Sequence, residues 1–176
     1  MAGGEEIGDP VRAISGNIEV RETDFVIPCP GIPLEFRRAY NSLVSAAGSM
    51  GPGWTHSCSW SVSDVTQDVA GIKFQWKQVT TGNGSEYRFP DFGGGVFGTC
   101  AENGWVLSSG GQGYCLTLPG QRQYRFSSGG VLTNIADGIG HNVTLSYSNA
   151  LLTAVRHDNG LQLTLGYSGT QLTRID

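Results

Sequence analysis

The sequence has little charge and almost no lysine. Of its 176 residues 15% are charged, the net charge is −4, and only two of the eleven basic residues are lysines, Lys73 and Lys77. Proteins that bind nucleic acid neutralise phosphates with clustered Lys and Arg side chains. No such basic stripe is present here, so no nucleic acid is predicted as a partner.

Long apolar runs are missing as well. A membrane-spanning helix needs roughly 18 consecutive apolar residues, and no segment approaches that length, so no membrane span is predicted. The first eight residues are acidic, whereas a signal peptide opens with a basic and then an apolar stretch. No signal peptide is visible, and simple signal-directed export is disfavoured.

Cysteine is sparse and glycine is abundant. The four cysteines are too widely spaced for paired metal knuckles and too few for a disulfide scaffold. A bridge between Cys100 and Cys115 across a hairpin is one alternative; ordinary thiols are the favoured one, and the redox compartment stays undecided. The 27 glycines and the low charge disfavour long helices, which excludes helical bundles and coiled coils.

What the chain does contain is the pattern of many short strands. From Ile18 onward, runs of β-branched and aromatic residues alternate with clusters of Gly, Asn, Pro and Ser, roughly every 8 to 20 residues. The predicted fold class is all-β, with many short antiparallel strands and hairpins.

The last third of the chain is an internal repeat. A Leu-Thr-x-(Ile/Val) motif recurs at a constant offset of 20 residues, and a turn glycine and a strand tyrosine recur with it. The matched positions are Leu132, Leu152 and Leu172, then Gly140 and Gly160, then Tyr147 and Tyr167. A single period that fits so many positions predicts a repeated structural unit.

Each unit is predicted to be a pair of strands. In the return strands Val143, Leu145 and Tyr147 alternate with polar residues, as do Leu161, Leu163, Leu165 and Tyr167, so one face is buried. The inner face of the outgoing strand is left open, because Leu132 and Ile135 fall on opposite faces of a regular strand. An isolated two-stranded hairpin is marginal in water. We therefore expect the units to pair edge to edge, with further units or another chain completing the third one.

These residues resemble the YD repeat of Rhs proteins. The resemblance rests on an aromatic segment, a Gly-x-Leu turn, an Asp and Gly pair, and a strand that ends in Tyr. The residues that carry it are Tyr124, Arg125, Phe126, Gly130, Val131, Leu132, Thr133, Ile135, Asp137, Gly140, Val143, Thr144, Leu145 and Tyr147.

The first half is similar to the domain that precedes the repeats in that family. The matching segments are Gly8-Asp9-Pro10-Val11, Ser15-Gly16-Asn17, Asp24-Phe25, Pro30-Gly31-Ile32-Pro33-Leu34-Glu35-Phe36, Arg38-x-Tyr40-Asn41-Ser42 and Gly51-Pro52-Gly53-Trp54-Thr55-His56. Together the two resemblances cover nearly the whole chain in the family's order.

The repeat departs from the family at several positions. The Asp that follows the repeat tyrosine is Ser148 and Ser168 here, the glycine at position 130 becomes Ala150, and His157 replaces the Asp found at position 137. A carboxylate that is so readily replaced is not indispensable chemistry, which favours a structural role for the repeat.

The resemblance implies a large hollow β-shell around a C-terminal toxin, linked to type VI secretion. The implied partners are the remainder of the shell or a completing chain, the enclosed toxin domain, and secretion-apparatus spike or chaperone proteins. The implied location is the bacterial cytoplasm before delivery, followed by secretion through a specialised system. The chain itself shows neither the toxin domain nor the self-cleavage motif that precedes it.

Enzymatic chemistry has weak support in the sequence. Residues 93–98 match a dinucleotide fingerprint in form, but Pro90 and Asp91 stand where its strand belongs, so a loop is favoured. His56 lies two residues from Cys58, and packing is the better account of it. His141 and His157 lie in repeat turns, where a metal centre would depend on long-range folding. We predict no catalytic residue, no cofactor and no metal, and no enzyme.

The sequence therefore predicts a β-rich leading domain over residues 1–119 and repeats over residues 120–176, the last one incomplete. The predicted function is a non-catalytic shell segment. The working residues are the seven repeat positions named above and the Gly51, Pro52, Gly53, Trp54 and His56 loop. The alternative is a carbohydrate- or protein-binding cell-surface module that uses exposed aromatic side chains.

Overall fold

Antiparallel strands make up the computed structural model, which describes residues 11–12, 17–44, 47–100 and 103–176. The strands in chain order are β1 (Val11–Arg12), β2 (Asn17–Ile27), β3 (Leu34–Asn41), β4 (Ala47–Gly48), β5 (Gly51–Pro52), β6 (Trp54–His56), β7 (Ser61–Val69), β8 (Ile72–Thr80), β9 (Glu86–Pro90), β10 (Val106–Gly110), β11 (Gly113–Thr117), β12 (Gln123–Phe126), β13 (Leu132–Ala136), β14 (Asn142–Ser148), β15 (Leu151–His157), β16 (Gln162–Ser168) and β17 (Gln171–Ile175). These ranges contain no helix, so the all-β prediction is confirmed. The motif residues Gly8, Asp9, Pro10, Ser15 and Gly16 lie outside the described residues.

The first nine strands form three small sheets. One has the order β1-β2-β3-β6, a second pairs β4 with β5, and a third has the order β7-β8-β9. The long hairpins β2–β3 and β7–β8 contribute most of their pairing. We call these three sheets together the leading sheets.

The remaining strands form one eight-stranded antiparallel meander in chain order, β10 to β17, which we call the repeat sheet. It begins at Val106, and the predicted boundary after residue 119 falls in the turn between β11 and β12. Two further strands therefore precede the units that the 20-residue period marks.

A single hydrophobic core joins the leading sheets to the repeat sheet. Leu34 and Phe36 on β3, Phe89 on β9 and Leu132 on β13 are at most 1% exposed and belong to one cluster. Because apolar burial is the main force that favours folding, this shared core fixes the leading sheets on one face of the repeat sheet.

No helix in the described part of the chain has the length and hydropathy that a membrane crossing requires.

Candidate functional site

Each repeat unit places a leucine opposite an aromatic residue across a hairpin. The pairs are Leu132 with Phe126, Leu152 with Tyr147, and Leu172 with Tyr167. Leu132 and Leu152 are buried, and Leu172 is half-buried. The three predicted leucines thus occupy equivalent positions on strands β13, β15 and β17.

A β-bulge follows each of these leucines. The bulged residues are Thr133, Thr153 and Thr173, whose hydroxyls donate to the carbonyl oxygens of Arg125 at 3.0 Å, Ser146 at 3.1 Å and Gly166 at 3.2 Å. A bulge inserts one extra residue and so reverses the inward and outward alternation. Leu152 and Val155 consequently both face the core, at 5% and 4% exposure. The bulge assigns the inner face that the sequence left open.

The return strands bury the predicted apolar face. Leu163 and Leu165 are buried, as are Val143 and Leu145. Leu161 is an exception at 44% exposure, because it lies in the turn before β16 begins.

The two predicted tyrosines line this same face and are half-buried. The hydroxyl of Tyr167 donates to the carbonyl oxygen of Leu152 at 2.8 Å. Burial, with smaller contributions from Cys58 and Tyr167, raises the pKa of Tyr147. Both side chains therefore pack as neutral phenols at physiological pH.

The turn glycines Gly140 and Gly160 allow backbone conformations that other residues rarely adopt. Their φ angles are +127° and +96°, and a Cβ built on either would meet no other atom within 4 Å. Beside Gly140, Oδ1 of Asp137 accepts the N–H groups of Ile139, Gly140 and His141 at 2.9 to 3.1 Å. Burial alone raises the pKa of Asp137, but these N–H groups and the nearby His141 outweigh it, and the pKa is lowered.

The predicted loop motif forms β5 and β6 and packs against β3. Gly53 has a φ of +74°, and a Cβ there would lie 2.7 Å from Cε2 of Tyr40, so the position requires glycine. The ring of Trp54 lies 5.3 Å from the ring of Tyr40, and the guanidinium of Arg38 lies 5.6 Å from the Trp54 ring centroid. Gly51 and Pro52 pair with β4.

His56 is a packed histidine. It is 6% exposed, and its ring stacks on Phe36 at 5.1 Å. Its Nδ1 accepts the N–H of Cys58 at 3.3 Å. Burial lowers the pKa of His56 to about 4 and raises the pKa of Cys58 to about 11. At neutral pH this pair is an uncharged imidazole and a protonated thiol, so Cys58 lacks the thiolate that a nucleophile needs.

Contacts outside the shared core also hold the leading sheets on the repeat sheet. The first is at the turn before β13, where the N–H of Val62 donates to the carbonyl oxygen of Gly130 at 2.8 Å. Ser61 forms an isolated β-bridge with Val131 beside it. Gly130 has a φ of +76°, and a Cβ there would overlap the carbonyl oxygen of Val62.

The second contact is at the opposite end of the repeat sheet. The carbonyl oxygen of Pro30 lies 3.0 Å from Nε2 of His157, which is completely buried. Next to it Gly31 packs so closely on Asp137 and His141 that a Cβ would overlap both side chains. One short loop of the leading sheets therefore touches the turns of two successive units.

The third contact is polar. Lys77 on β8 is 8% exposed and forms an ion pair with Asp64, and its Nζ also donates to the hydroxyl of Tyr114 on β11 at 3.0 Å. The ammonium lies 4.9 Å from the Tyr114 ring centroid. Burial lowers the pKa of Lys77, but Asp64 and Tyr114 outweigh it, and the net shift is upward.

A cleft of about 780 Å³ lies between the leading sheets and the repeat sheet. Four aromatic side chains in its lining contact one another in series. Trp60 lies 4.1 Å from Tyr124 and 6.1 Å from Trp105, and Trp105 lies 4.5 Å from Tyr87, measured between ring centroids. Arg21, Arg37, Arg38 and Arg122 also line the cleft. We call the rings of Tyr124, Trp60, Trp105 and Tyr87 the aromatic row.

The comparisons with known proteins concern the leading sheets. A family model described as "Domain of unknown function (DUF6531)" matches residues 8–89. The match contains β1 to β8 and most of β9, and it ends before the repeat sheet begins. No curated protein matches the chain.

The sequence missed the contacts that join the two parts. The loop motif and the repeat positions that it named lie in the leading sheets and in the repeat sheet. Val62 was not named, and Pro30 and Lys77 were named without any predicted contact to the repeat. One signal was available for Lys77, because it is one of two lysines and sits in a strand beside Trp76 and Val79. A disulfide between Cys100 and Cys115 was one of the two alternatives that the sequence left open. In the structure both cysteines carry free thiols.

Proposed function

We propose that this chain is a non-catalytic shell segment of an Rhs-type bacterial toxin. The leading sheets would start the shell, and the repeat sheet would extend it by adding hairpins. The observation that carries the proposal is the bulged hairpin that recurs at a 20-residue period, packed through one core on a leading domain.

The match to DUF6531 supports the same proposal, since such domains often occur in Rhs and YD-repeat proteins. On this basis the partners would be further shell units or a completing chain, an enclosed toxin domain, and spike or chaperone proteins of the secretion apparatus. The protein would stay in the bacterial cytoplasm until a specialised system, type VI by analogy, delivers it.

The geometry of β17 fits a growing sheet. The N–H of Leu172 donates to the carbonyl oxygen of Ser49 at 2.7 Å, so a further strand would pair from Arg174 onward. The return strands β14 and β16 pair with the preceding strands from the equivalent residues Asn134 and Ala154. An exposed strand edge is a template for another strand. A further hairpin of the same sequence pattern would pair there and cover the half-buried Leu172.

Extension of the chain tests this proposal. A variant that carries a second copy of residues 157–176 after Asp176 supplies one more turn, return strand and outgoing strand. We expect its urea midpoint to exceed that of the original chain, because each added unit gains an interface with its neighbour. The matched control has the copies of Leu163 and Leu165 changed to Ser and should gain nothing. Equal midpoints for the two extended chains would contradict the proposal.

The aromatic row favours one alternative function, binding of carbohydrate or of a protein partner at a cell surface. Sugars stack on flat aromatic faces, and Trp60, Tyr87, Trp105 and Tyr124 all line the cleft. The four rings are half-buried against one another, which leaves them partly engaged in packing. Tryptophan fluorescence titrated with cell-wall glycans tests this function. Saturable quenching that Trp105→Phe abolishes would favour binding over scaffolding.

The non-catalytic part of the proposal has its own test. We expect the purified chain to turn over neither generic esters nor peptides. Turnover that is lost in His56→Ala, in a variant that circular dichroism shows to be folded, would make the protein an enzyme.

A further inference from the structure

Two turns of the repeat sheet bring two imidazoles and a carboxylate together. We propose that His141, His157 and Asp158 bind a divalent transition metal of the zinc type. His141 lies just before β14, His157 ends β15, and Asp158 follows it in the next turn. The three ligand atoms lie within 4.8 Å of one another.

The hydrogen bonds of His157 select the tautomer that a metal ligand needs. Its Nε2 lies 3.0 Å from the carbonyl oxygen of Pro30, and a carbonyl can only accept, so Nε2 carries the proton. Its Nδ1 is then the nitrogen with the lone pair. Metal-binding histidines commonly donate their second N–H to a backbone carbonyl in this way, which fixes the ring orientation.

The surroundings of that lone pair call for a positive charge. Nδ1 of His157 lies 2.9 Å from Oδ1 of Asp158. Two electron-rich atoms at this distance repel each other unless a proton or a metal ion lies between them. The N–H of Asn159 also approaches Nδ1, at 3.1 Å, so coordination would replace that one hydrogen bond.

His141 supplies the third ligand from the neighbouring unit. Its Nδ1 lies 3.8 Å from Oδ2 of Asp158, and its ring stacks over the ring of His157 at 6.0 Å. Zinc bonds to nitrogen and oxygen are about 2.0 to 2.2 Å long, so ligand atoms around one ion lie roughly 3 to 3.5 Å apart. The side chains of His141 and Asp158 are 36% and 37% exposed. Oδ2 of Asp158 accepts the N–H of Asn142 at 2.9 Å, so His141 makes most of the small movement required, and a solvent ligand can complete the site.

A second carboxylate lies beside the site. Oδ2 of Asp137 is buried and has no hydrogen-bond partner among the described residues. It lies beside the His141 ring, since both would touch a Cβ built on Gly31. An unpaired carboxylate oxygen next to a ligand adds negative potential that a bound ion would offset.

The donor set decides the class of metal. Two imidazoles and one carboxylate suit Zn²⁺, Ni²⁺, Co²⁺ or Cu²⁺, whereas Mg²⁺ and Ca²⁺ prefer oxygen ligands alone. Such an ion would link two successive repeat units, and through the Nε2–H of His157 it would also hold the Pro30 loop of the leading sheets. Its role would be structural.

Zinc titration of the full chain, without an affinity tag and stripped of metal by a chelator, tests the site. We expect calorimetry to show one saturable Zn²⁺ per chain, with at least about tenfold weaker binding in His141→Ala and in Asp158→Asn. At a hundredfold excess over Kd, Zn²⁺ should lower the unfolding equilibrium constant of the original chain about 100-fold. The ¹⁵N signal of His157 Nδ1 should shift on binding.

Two control variants test whether side chains outside the proposed site bind the Zn²⁺. Glu86→Gln removes one exposed negative charge far along the sequence, and Cys29→Ser removes a thiol next to Pro30; both should bind Zn²⁺ like the original chain. Absence of saturable binding would overturn the proposal. So would binding that survives both His141→Ala and Asp158→Asn, or that Cys29→Ser abolishes.

Discussion

Position 130 and position 150 are equivalent in the repeat, yet they meet different surroundings. Both residues have positive φ, +76° at Gly130 and +64° at Ala150. Gly130 lies under the leading sheets, with the carbonyl oxygen of Val62 against its Cα, whereas Ala150 lies in an exposed turn. The covered turn excludes a methyl group, and the open turn tolerates one despite the backbone strain.

This difference separates two constraints that a repeat imposes on its residues. The backbone is left-handed at both Gly130 and Ala150, and an alanine can adopt that conformation at a cost. Docking of the leading sheets demands the absence of a side chain, which only glycine meets. The departures from strict periodicity therefore mark where the repeat sheet is covered and where it is open.

The largest expected effect comes from placing a methyl group in the covered turn. Gly130→Ala combines left-handed strain with overlap on the Val62 carbonyl, and we expect a loss of about 4 kcal/mol in the free energy of unfolding. Urea denaturation measures it. Gly120→Ala is the matched control, because Gly120 has a similar φ of +84° and a Cβ there would meet no atom within 4 Å, so this variant should lose much less. Similar losses for the two variants would remove the distinction between covered and open turns.

Acid should lower the free energy of unfolding through the buried His56 of the leading sheets. His56 in the leading sheets has a folded pKa of about 4 against an unfolded value of about 6.5, so the unfolded chain binds its proton first as the pH falls. Its contribution is complete above pH 6.5 and is lost as the pH falls toward 4, by about 3 kcal/mol in all. Urea unfolding from pH 8 to pH 4 measures the slope. His56→Gln should reduce the slope of the free energy of unfolding against pH by the equivalent of about one bound proton. An unchanged slope would show that His56 is accessible in the folded chain.

The contribution of the bulge to stability should not depend on whether the leading sheets cover the hairpin. Thr133→Val and Thr153→Val each remove one hydroxyl that donates to a facing carbonyl, and each should lower the free energy of unfolding by about 1 kcal/mol. The two losses should agree, since the bulge belongs to the hairpin rather than to its surroundings. Parallel urea unfolding of the two variants measures this. A much larger loss for Thr133→Val would extend the covered region to the bulge.

The smallest effect should be a gain at the open turn. Ala150→Gly relieves left-handed strain and adds some unfolded-chain entropy, for a net stabilisation of about 0.5 kcal/mol. Thermal unfolding should show a slightly higher Tm. A lower Tm would mean that the Ala150 methyl group makes contacts that its exposure does not suggest.

The sequence predicted the features that depend on local pattern, namely the positions of the hairpins and of the core residues in the return strands. The 20-residue period located the hairpins, and the alternation in β14 and β16 identified Val143, Leu145, Leu163 and Leu165 as core residues. It could not assign the outgoing strands, because the recurring threonine marks each unit without showing that it is an extra residue that reverses the alternation.

Contacts between distant segments were beyond the sequence for a different reason. The Pro30 carbonyl meets His157 across 127 residues, and no periodicity links the two. The strands β10 and β11 extend the repeat sheet without the Leu-Thr motif, so their membership depends on pairing that only the folded chain shows. The candidate metal site has the same origin, since it forms only when successive turns are stacked.

The threonine bulges have a geometric consequence for any longer array. A bulge bends its strand and increases the local right-handed twist, and here it recurs after the leucine of β13, β15 and β17. The bends therefore accumulate in one sense, so a wall made of such units curls as it grows, with a radius set by the spacing of its threonines.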